Sequence, residues 1–577
     1  MHLTRRQLFQ VGAASAAALA LPVATAPLRP VSAAVPGKFT ELLPTTADLG
    51  VLDATGGGSG TLRMVNARHS FSADLPATPT FAYQGAQGGQ TYLGPVVVAR
   101  RGVPFDLTLV NALGAHPLAA AVDPTLVQEA IDDGMLDGTA TQDRTAPRSV
   151  LHRHGGTTAP QYDGGPMDFI RPGGSTLYHY DNAQASAGLW YHDHTMQTNR
   201  LNLYAGLAGV YLLRDDDDPG DGSRLPGGPY EVPLLIQDRS FAADGTLVYP
   251  TGWVPMSFGD VATVNGKAWP TTTVDRSRYR FRVVNASNSR FYRLRFLRAG
   301  SALPFWQIGS DGGLLDAPVQ TDVVLIAPGE RADLVVDFTE LAPGTTVVLG
   351  NDAPAPYPFG GDGPALPEIM QFTVGTATGS APPLPASLRA TPVTRLAGRP
   401  VAATRTMTLV EAPDAQGRSM PLLNNRYFAS DDYTTTPVAA DSLEQWELVN
   451  ATGDAHPIHL HYVQFQVLDR QAVDVRGYGT ATYGQGRLVA GTGPYPPPPV
   501  TPYLQGQPRQ PAANERGWKD TVVALPGEVT RILVPFGAGA AGGAPLAMGS
   551  TYRGEYVWHC HILEHEDHDM MQRYLVQ

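Results

Sequence analysis

The feature that most constrains the fold is a pair of short motifs that occurs three times along the 577 residues. The first motif is an alternating, strand-like stretch that ends in Val-Asn-Ala, at 107–112, 279–286 and 445–451. A Pro-Gly turn follows each stretch, within 171–174, 327–330 and 525–528, and the second and third turns lead into the predicted strands 332–338 and 530–535. Repetition on the scale of a domain indicates a duplicated fold. Short strands joined by Pro and Gly turns predict β-sandwiches or barrels, so we expect three homologous all-β domains.

Shifts in composition give the expected domain boundaries, at 40–214, 228–376 and 402–577. The acidic run 215–221 separates the first two domains, and a Gly/Ala/Pro-rich stretch over about 375–400 separates the last two. Two insertions are predicted. One is a short acidic helix within 123–134 that starts at Pro124. The other is a stiff Pro-rich surface loop over 491–511, interpreted as a spacer that does not join a sheet, although such loops can shape a substrate mouth.

The N-terminus has the layout of an export signal. Paired arginines, Arg5 and Arg6, precede an apolar run over 11–21 and small residues suited to cleavage at 24–26 or 33–34. The arginine pair predicts the twin-arginine export machinery, a signal peptide over 1–34, and a secreted, periplasmic or cell-envelope protein. A membrane anchor is the alternative, but the run is shorter than the ~20 residues that a span needs, so no integral membrane protein is expected.

Charge and cysteine content narrow the function classes. A net charge of −12 without a basic block argues against a nucleic-acid-binding protein. The single cysteine, Cys560, excludes an intrachain disulfide, so stability must come from core burial or bound metal. A lone cysteine is usually a small buried apolar residue, but the neighbours of Cys560 indicate a different role.

Ten of the fifteen histidines lie in four short groups, two in the first predicted domain and two in the third. The groups are His152 and His154; His192 and His194; His456, His459 and His461; and His559, His561 and His565. One His-x-His pair is weak evidence, because both residues can simply lie on one face of an exposed strand. Four groups are not expected by chance, and we interpret them as metal ligands.

The segment His559-Cys560-His561 has a spacing that suits electron transfer. Side chains alternate along a strand, so both histidines point to one face and the cysteine to the other. A thiolate can then bind one metal while the two imidazoles bind others, with a short covalent path between them.

These donors fit copper better than zinc. The first set matches a blue-copper site with a long axial thioether: His456, Cys560, His565 and Met570. The other eight histidines are the right number for a three-copper cluster shared between the first and third domains, whereas a closed zinc site needs only four ligands. An internal similarity between 188–194 and 554–561 predicts a pseudo-twofold pairing of two strands that brings four imidazoles together.

With these motifs the sequence resembles the multicopper oxidases, and all four copper-binding segments of that family are intact. The segments 189–194, 203–209, 232–238 and 559–571 resemble the branch of bacterial spore-coat laccases, bilirubin oxidase and phenoxazinone synthase. The resemblance covers most of 60–577. It implies three cupredoxin-like Greek-key domains and four coppers per chain, one of type 1, one of type 2 and two of type 3.

The resemblance also implies roles for individual residues. The type 2 ligands would be His152 and His459, and the type 3 ligands would be His154, His192, His194, His461, His559 and His561. The type 1 ligands would be His456, Cys560, His565 and Met570. Two carboxylates, Glu566 and Asp163, would deliver protons, because reducing O₂ to two waters consumes four of them. Each could instead be a hydrogen-bonded structural carboxylate, an alternative that is stronger for Asp163.

Several neighbouring residues leave local alternatives. Met571 could replace Met570 as axial ligand, although the five-residue step from His565 favours Met570. Arg153 is expected to point away from the metals and pair with a carboxylate. His568 could bind adventitious metal, but it is expected to be a solvent-side group or to support a ligand. The isolated histidines are interpreted as ordinary surface or strand residues: His2, His69, His116 and His179.

The expected activity is outer-sphere oxidation of a phenol, aromatic amine or tetrapyrrole, near His456 or His565 at the surface of a monomeric enzyme. Electrons would pass through Cys560 to the histidine cluster and reduce O₂. One alternative is an oxidase of Cu(I) or another low-valent metal in copper tolerance, which the lack of a Met-rich insertion disfavours. The other is a non-catalytic cupredoxin scaffold or copper store, which the complete ligand set disfavours.

Overall fold

The computed structural model describes residues 34–429, 437–537 and 551–577. The predicted signal peptide lies, apart from Ala34, outside the described residues. Within those ranges, none of the helices has the length and apolar character needed to cross a bilayer.

The first domain consists of nine strands in two sheets. One sheet has the order β1-β4-β9-β8-β6 and the other β3-β2-β5-β7. The strands are β1 Val51–Ala54, β2 Gly58–His69, β3 Thr78–Gln84, β4 Val96–Arg100, β5 Phe105–Ala112, β6 Leu151–His154, β7 Ser175–Tyr180, β8 Ala187–Asp193 and β9 Ala208–Arg214. Buried and part-buried residues alternate along β5, which gives the period of two that the sequence predicted.

The second domain has a seven-stranded sheet, β12-β11-β10-β14-β20-β17-β18, that is accompanied by a six-stranded sheet. The latter runs β13-β22-β21-β15-β16, with β19 paired to β15. The strands are β10 Glu231–Arg239, β11 Val261–Val264, β12 Lys267–Ala268, β13 Thr271–Arg276, β14 Arg278–Asn285, β15 Tyr292–Arg298, β16 Ser301–Leu303, β17 Phe305–Ser310, β18 Gly313–Thr321, β19 Val324–Ile326, β20 Arg331–Asp337, β21 Thr346–Asn351 and β22 Glu368–Thr378.

The third domain repeats the two-sheet arrangement, with the orders β24-β23-β25-β30-β27-β28 and β29-β26-β31-β32. The strands are β23 Ala403–Pro413, β24 Ser419–Leu423, β25 Leu443–Asn450, β26 His456–Leu460, β27 Gln466–Val473, β28 Leu504–Arg509, β29 Thr521–Ala524, β30 Glu528–Pro535, β31 Gly554–Cys560 and β32 Met571–Val576. The all-β, cupredoxin-like fold is therefore confirmed. The exact domain boundaries stay a prediction; β22 ends two residues beyond 376.

Helices are few and short. They are α1 Thr46–Leu49, α2 Pro124–Asp132, α3 Asn199–Ala205, α4 Val475–Tyr483 and α5 Leu563–Glu566, together with the 3₁₀ turns Ala119–Ala121, Gln142–Arg144, Pro160–Tyr162, Gly228–Tyr230, Thr501–Tyr503 and Ala513–Glu515. The insertion predicted as a helix is α2, which starts at Pro124 after Asp123, whose carboxylate accepts the amide N–H of Thr125 as an N-cap.

The repeated motifs have one structural role in all three domains. The asparagine of each Val-Asn-Ala motif, Asn111, Asn285 or Asn450, donates its side-chain amide to the carbonyl just before the Pro-Gly turn region, that of Ile170, Ile326 or Ala524. The backbone carbonyl of the same asparagine accepts a hydrogen bond from the backbone N–H of a glycine in the turn, with N–O distances of 2.7, 2.9 and 3.0 Å in the three domains. The two repeated motifs thus hold each other, which explains why they recur together.

The prediction for the Pro-rich loop is wrong at its end. Residues Leu504–Arg509 form β28, the edge strand of a sheet, paired with β27. An edge strand tolerates a residue without an amide N–H such as Pro508, because one side of its backbone needs no partner. The other predicted linker, about 375–400, begins inside β22, which ends at Thr378, and contains neither helix nor strand from 379 onward.

A buried cluster of charges holds the first two domains together. Asp218, in the acidic run that was predicted to separate the domains, accepts hydrogen bonds from Arg280 and Arg282 of β14. Glu231 pairs with Arg214 and Arg282 in the same cluster. The acidic run is therefore an anchored connection, which fixes the first domain against the second.

Candidate metal centres

The four histidine groups lie on, or one residue beyond, two pairs of neighbouring strands, except for His565, which lies in α5. In the first domain β6 and β8 are antiparallel and His152 lies opposite His192. In the third domain β26 and β31 are antiparallel and His459 lies opposite His559. The two strand pairs face each other, so that the imidazole rings of His154 and His459 stack with centroids 3.7 Å apart. His194 also lies against His559, and His192 against His561, with ring centroids 4.8 and 5.3 Å apart, so the segments 188–194 and 554–561 meet as their internal similarity predicted.

Cys560 lies at the end of β31 beside two histidines. Its Sγ is 3.4 Å from Nδ1 of His456 and 3.7 Å from Nδ1 of His565, and these two nitrogens are 3.2 Å apart. Burial raises the pKa of the thiol, so metal binding here must release a proton. Three soft or borderline donors converge on one point, as a blue-copper site requires.

The expectation that this site has an exposed histidine is wrong. His456 has no exposed surface and His565 is 3 % exposed. Nε2 of His456 lies 2.7 Å from Oγ1 of Thr452, and the carbonyl of Pro255, from the second domain, accepts a hydrogen bond from the His565 ring. Each imidazole is therefore covered by a further residue, and the histidine motifs themselves do not predict these contacts.

The two adjacent methionines occupy different surroundings. Met570 packs in the apolar cluster that contains Cys560, and its carbonyl accepts the amide N–H of Cys560 at 3.0 Å. Met571 lies in another cluster, with Met196 and Val557. The placement favours Met570 as the axial donor.

Three other histidines converge more tightly. The Nε2 atoms of His194, His461 and His559 are separated pairwise by 3.1, 3.1 and 3.2 Å. Donor atoms bound at ~2.0 Å with near-tetrahedral angles would be separated by roughly 3.3 Å, so this triad has the spacing of ligands around one ion.

The remaining five histidines surround the same space. His154, His192 and His561 form a second triad, and His152 and His459 lie beside His154. Several of their nitrogens are buried without a hydrogen-bond partner among the described residues: Nε2 of His152, His192 and His459, Nδ1 of His154, and both nitrogens of His561. Buried polar atoms without a hydrogen-bond partner are rare in proteins. Their concentration here indicates that these nitrogens bind groups outside the chain, and metal ions fit them.

Hydrogen bonds fix the tautomer of many of these rings. Nδ1 donates to a backbone carbonyl in His152, His192 and His459, at 2.7, 2.7 and 2.9 Å. Each Nε2 therefore carries a free lone pair. Burial and the neighbouring histidines lower the pKa of His152 and His192 well below the ordinary value, so the rings are neutral and ready to bind a cation.

Comparison with known proteins agrees with this geometry. Multicopper oxidase family models match residues 141–218 and 400–577. The chain is 36 % identical to a laccase of Bacillus subtilis over 88 % of this chain and 92 % of the relative. The chain belongs to the multicopper oxidase family. It is also similar to multicopper oxidase LPR1 of Arabidopsis thaliana, with 34 % identity over 88 % of this chain and 87 % of the relative. The crystal structure of the McoA multicopper oxidase of Aquifex aeolicus covers 94 % of this chain and 100 % of its own, at 26 % identity and a TM-score of 0.68.

This multicopper oxidase is thus an oxidoreductase, and copper is the cofactor that its family implies. The donor set fits copper, because imidazoles and one thiolate are the ligands that it prefers. The structure brings together all ten of the predicted histidine ligands and Cys560. The assignment of each residue to a particular copper stays a prediction.

Both predicted carboxylates of this multicopper oxidase lie against the histidines. Oδ2 of Asp163 is 2.7 Å from Nδ1 of His461. Glu566 lies 3.2 Å from Nδ1 of His559 through Oε2 and accepts a hydrogen bond from Asn199 through Oε1. Burial raises the pKa of both carboxyl groups, which favours the protonated form.

Sequence analysis missed a third carboxylate and its partner. Asp520 lies 3.1 Å from Nε2 of His154 through Oδ1, and its backbone carbonyl holds His459. Arg331 of the second domain forms an ion pair with Asp520. The Arg331 guanidinium holds the pKa of Asp520 well below its usual range, against the opposing effect of burial. The sequence offers one signal for this pair, which is that Arg331 directly follows the second Pro-Gly motif, and that motif by itself predicts only a turn.

The second domain also approaches the histidines through its Pro-Gly turn. Gly329 has a φ of 84°, and a Cβ at this position would lie 2.7 Å from Cδ2 of His561. The domain without metal ligands therefore shapes the site at two neighbouring positions.

Two expectations about residues outside the ligand set, Arg153 and His116, are corrected by the structure. Arg153 does point away from the metals, but no carboxylate pairs with it in the described structure; it donates to Asn182 and Thr158 and stacks on Tyr180. His116 is 3 % exposed and is held by Asn202 and Leu118, because the α3 region covers it.

The remaining isolated histidines differ in placement. His568 is buried, 1 % exposed, so it is not a solvent-side group. His69 lies in β2 and His179 in β7, where it pairs with Asp106, as ordinary strand residues do. His2 lies outside the described residues.

Proposed function

We propose that this protein is a laccase-type enzyme that oxidises phenolic or related aromatic donors one electron at a time and reduces O₂ to two waters. The observation that carries the proposal is the position of Cys560 between His559 and His561. Those two histidines belong to different triads, His559 with His194 and His461, and His561 with His154 and His192. One short strand segment thus connects the cysteine site to both triads.

The proposal includes four coppers per chain. His456, Cys560 and His565, with Met570, would hold one. The triad of His194, His461 and His559 and the triad of His154, His192 and His561 would hold two more. His152 and His459 would hold the fourth. When bound, copper supplies one-electron redox chemistry, taking single electrons from the donor and giving four to O₂.

The donor binds at the covered face of the cysteine site. Thr452 contacts Nε2 of His456, and the carbonyl of Pro255 accepts a hydrogen bond from the His565 ring. An organic electron donor therefore stays outside these two residues, and none of its atoms needs to bind the metal. This face favours an aromatic molecule that can lie against the protein surface and lose one electron. Phenols, aromatic amines and tetrapyrroles share that property.

The chain supplies the protons through its carboxyl groups. Burial raises the pKa of Glu566, which favours its protonated form, and the carboxyl group lies beside His559 and His194, with Oε1 3.6 Å from Nε2 of His194. It can give its proton to reduced oxygen in that space and recover one from solvent. Asp163 acts mainly by position, because it fixes His461 through its carboxylate and His152 through its backbone carbonyl.

Export is part of the proposal on the grounds of the N-terminal sequence alone. The paired arginines, the apolar run and the small residues that follow support a twin-arginine signal over 1–34 and a secreted, periplasmic or cell-envelope location. A monomer is proposed as the active form, since all the predicted ligands come from one chain.

The test compares the copper-loaded wild type with Cys560→Ser. The wild type should contain four coppers per chain, show an intense blue absorption band that bleaches with a phenolic dye, and consume one O₂ per four electrons. Cys560→Ser should lose the blue band and the oxygen uptake but keep about three coppers. An unchanged blue band in Cys560→Ser, or a blue wild type that takes up no oxygen with any aromatic donor, would refute the proposal.

A further inference from the structure

The short helix α5, which contains the predicted copper ligand His565, is inserted into the second domain. The side chain of Leu563 is completely buried and packs in the apolar cluster that contains Leu234 and Phe241 of that domain. The amide N–H of Leu563 donates to the carbonyl of Asn288, at 3.1 Å. Although α5 belongs to the third domain by sequence, many of its contacts therefore come from the second.

The carboxyl group of Glu564, the residue before His565, is completely buried and accepts three hydrogen bonds from the second domain. Oε1 accepts the hydroxyl of Tyr249 at 2.5 Å and the side-chain amide of Asn288 at 3.0 Å, and Oε2 accepts the hydroxyl of Ser289 at 2.5 Å. All three donors are themselves buried. Both oxygens are thus engaged, and the directions of the three bonds define one position for the side chain.

The segment 249–257, which we call the strap, connects β10 with β11 and lies against α5. The indole N–H of Trp253 donates to the backbone carbonyl of Glu564 at 2.7 Å. The carbonyl of Pro255 accepts a hydrogen bond from the His565 ring. The strap therefore holds Glu564 at its backbone as well as at its carboxyl group, and it also contacts the neighbouring imidazole.

Stability alone does not explain a carboxyl group at this place. Burial of a carboxyl group costs free energy even when its hydrogen bonds are made, and an apolar side chain of similar volume often stabilises such an interior as well or better. Hydrogen bonds differ from apolar packing in having direction. Nδ1 of His565 must meet Sγ of Cys560 and Nδ1 of His456, which lie 3.7 and 3.2 Å away. Directed bonds beside a metal ligand are the usual means of orienting it.

We propose that Glu564 is a positioning residue for the type 1 copper site, and that the second domain acts on this site through it. The inference rests on the proposed function, which assigns His565 to that copper. Glu564 acts through His565 and is not itself a ligand. Its three hydrogen bonds hold α5 so that the His565 ring meets Cys560 and His456 in one geometry, and the site should bind copper more weakly when these bonds are lost.

The test is copper competition in the full chain, in which the blue band of the copper-loaded protein is followed while a chelator of known copper affinity is added. Glu564→Ala should lower the affinity of the blue site about 10- to 100-fold, the usual effect of losing a group that orients a metal ligand. Glu564→Gln should stay within about threefold of the wild type. Its carbonyl can still accept from Tyr249 and Asn288, and its amide can donate to the Ser289 hydroxyl, which can also accept.

Tyr249→Phe and Tyr292→Phe form a matched pair. Each removes one buried hydroxyl of the second domain, but that of Tyr292 lies 2.9 Å from Oγ of Ser287 and does not contact α5. Tyr249→Phe should weaken the blue site at least about threefold, as expected for the loss of one hydrogen bond. Tyr292→Phe should leave its affinity unchanged, while urea unfolding of the copper-free chains shows whether the two changes cost similar stability.

The outcomes separate this inference from the proposed function. A wild type without a blue band would overturn both. A blue wild type whose copper affinity is unchanged in Glu564→Ala would overturn the positioning role alone, as would equal losses in Glu564→Ala and Glu564→Gln, because charge would then matter and position would not. If Glu564→Ala does not fold, the comparison of Tyr249→Phe with Tyr292→Phe decides, and equal affinities in those two variants would overturn the inference.

Discussion

Arg331 and Asp520 form a two-point ion pair across the boundary between the second and third domains, with Nη1 2.6 Å from Oδ1. Oδ1 of Asp520 is also 3.1 Å from Nε2 of His154 in the first domain. One carboxylate thus links all three domains and orients a predicted copper ligand. Both side chains are almost completely buried, so neither partner can be compensated by water.

Replacing Arg331 by alanine should damage both stability and the histidine cluster. It leaves the Asp520 charge buried and unpaired, which costs about 3–5 kcal/mol of unfolding free energy. We expect lower copper content and slower oxygen uptake, while the blue band of the Cys560 site persists. Arg531→Ala is the control, since Arg531 also forms buried ion pairs but lies against Glu447 and Asp469. Equal losses of oxygen uptake per copper in both variants would contradict this role.

Gly329→Ala should disturb the position of His561. Its matched control is Gly527→Ala, in the equivalent turn of the third domain, with a φ of 74° against 84°. Both changes carry a similar backbone strain of about 1–2 kcal/mol. Only at position 329 would the new Cβ meet a histidine, because no atom lies within 4 Å at Gly527. Copper content and oxygen uptake should fall in Gly329→Ala alone. Equal losses in Gly527→Ala would contradict a role of Gly329 in positioning His561.

Met570→Leu should change the potential of the blue site, whereas Met571→Leu should not. Both substitutions conserve volume and should cost less than about 1.5 kcal/mol. Loss of an axial thioether removes an electron-donating ligand from the oxidised state, so the reduction potential should rise. Redox titration of the blue band provides the measurement. If only Met571→Leu shifts the potential, the axial ligand has been misassigned.

Glu566→Gln should slow oxygen reduction about 10²-fold, the lower range for loss of a general acid. Glutamine can still accept the hydrogen bond from Asn199, so the structure and the blue band should be kept. Anaerobic bleaching by a phenolic dye should keep its rate, which separates this step from electron entry. Glu566→Asp should restore part of the activity, and failure of the conservative change to do better than Gln would argue for a structural role.

His116 should contribute to the pH dependence of stability. Burial lowers its pKa to about 4 in the folded chain, against the ordinary 6.5. Between these values the unfolded chain gains a proton that the folded chain does not. This contribution to stability is therefore complete above pH 6.5 and is lost as the pH falls to about 4, by up to about 3 kcal/mol.

The measurement is urea unfolding of wild type and His116→Asn at several pH values from about 7.5 to 4. Asparagine can still accept the amide N–H of Leu118 through a local turn. The variant should be less stable near neutral pH, and the difference should shrink as the pH falls. Parallel curves for wild type and His116→Asn would rule this contribution out.

The sequence predicted whatever depends on local periodicity. The alternation in β5, the helix start at Pro124 and the opposite faces of Cys560 and its neighbours follow from the spacing of side chains within one element. The three-domain plan followed from the repeats, because the asparagine and the Pro-Gly turn of each domain contact each other and so recur as a pair.

What the sequence could not predict depends on contacts between distant segments. Asp520 and Arg331 are separated by 189 positions and neither lies in a histidine motif. Pro255 covers His565 from the second domain, which made a site expected at the surface a buried one. The edge strand β28 forms because β27 offers an open edge for pairing. The composition of the Pro-rich stretch does not predict this pairing.

The division of the histidines between the first and third domains has a consequence for biosynthesis. His152 to His194 are synthesised well before His559, Cys560 and His561, because 365 positions separate His194 from His559. During most of translation the first-domain imidazoles face no partners, and any ion that they capture is held by only part of its final ligand set. Complete copper loading must therefore wait until β31 has been synthesised and the two histidine-bearing strand pairs have met.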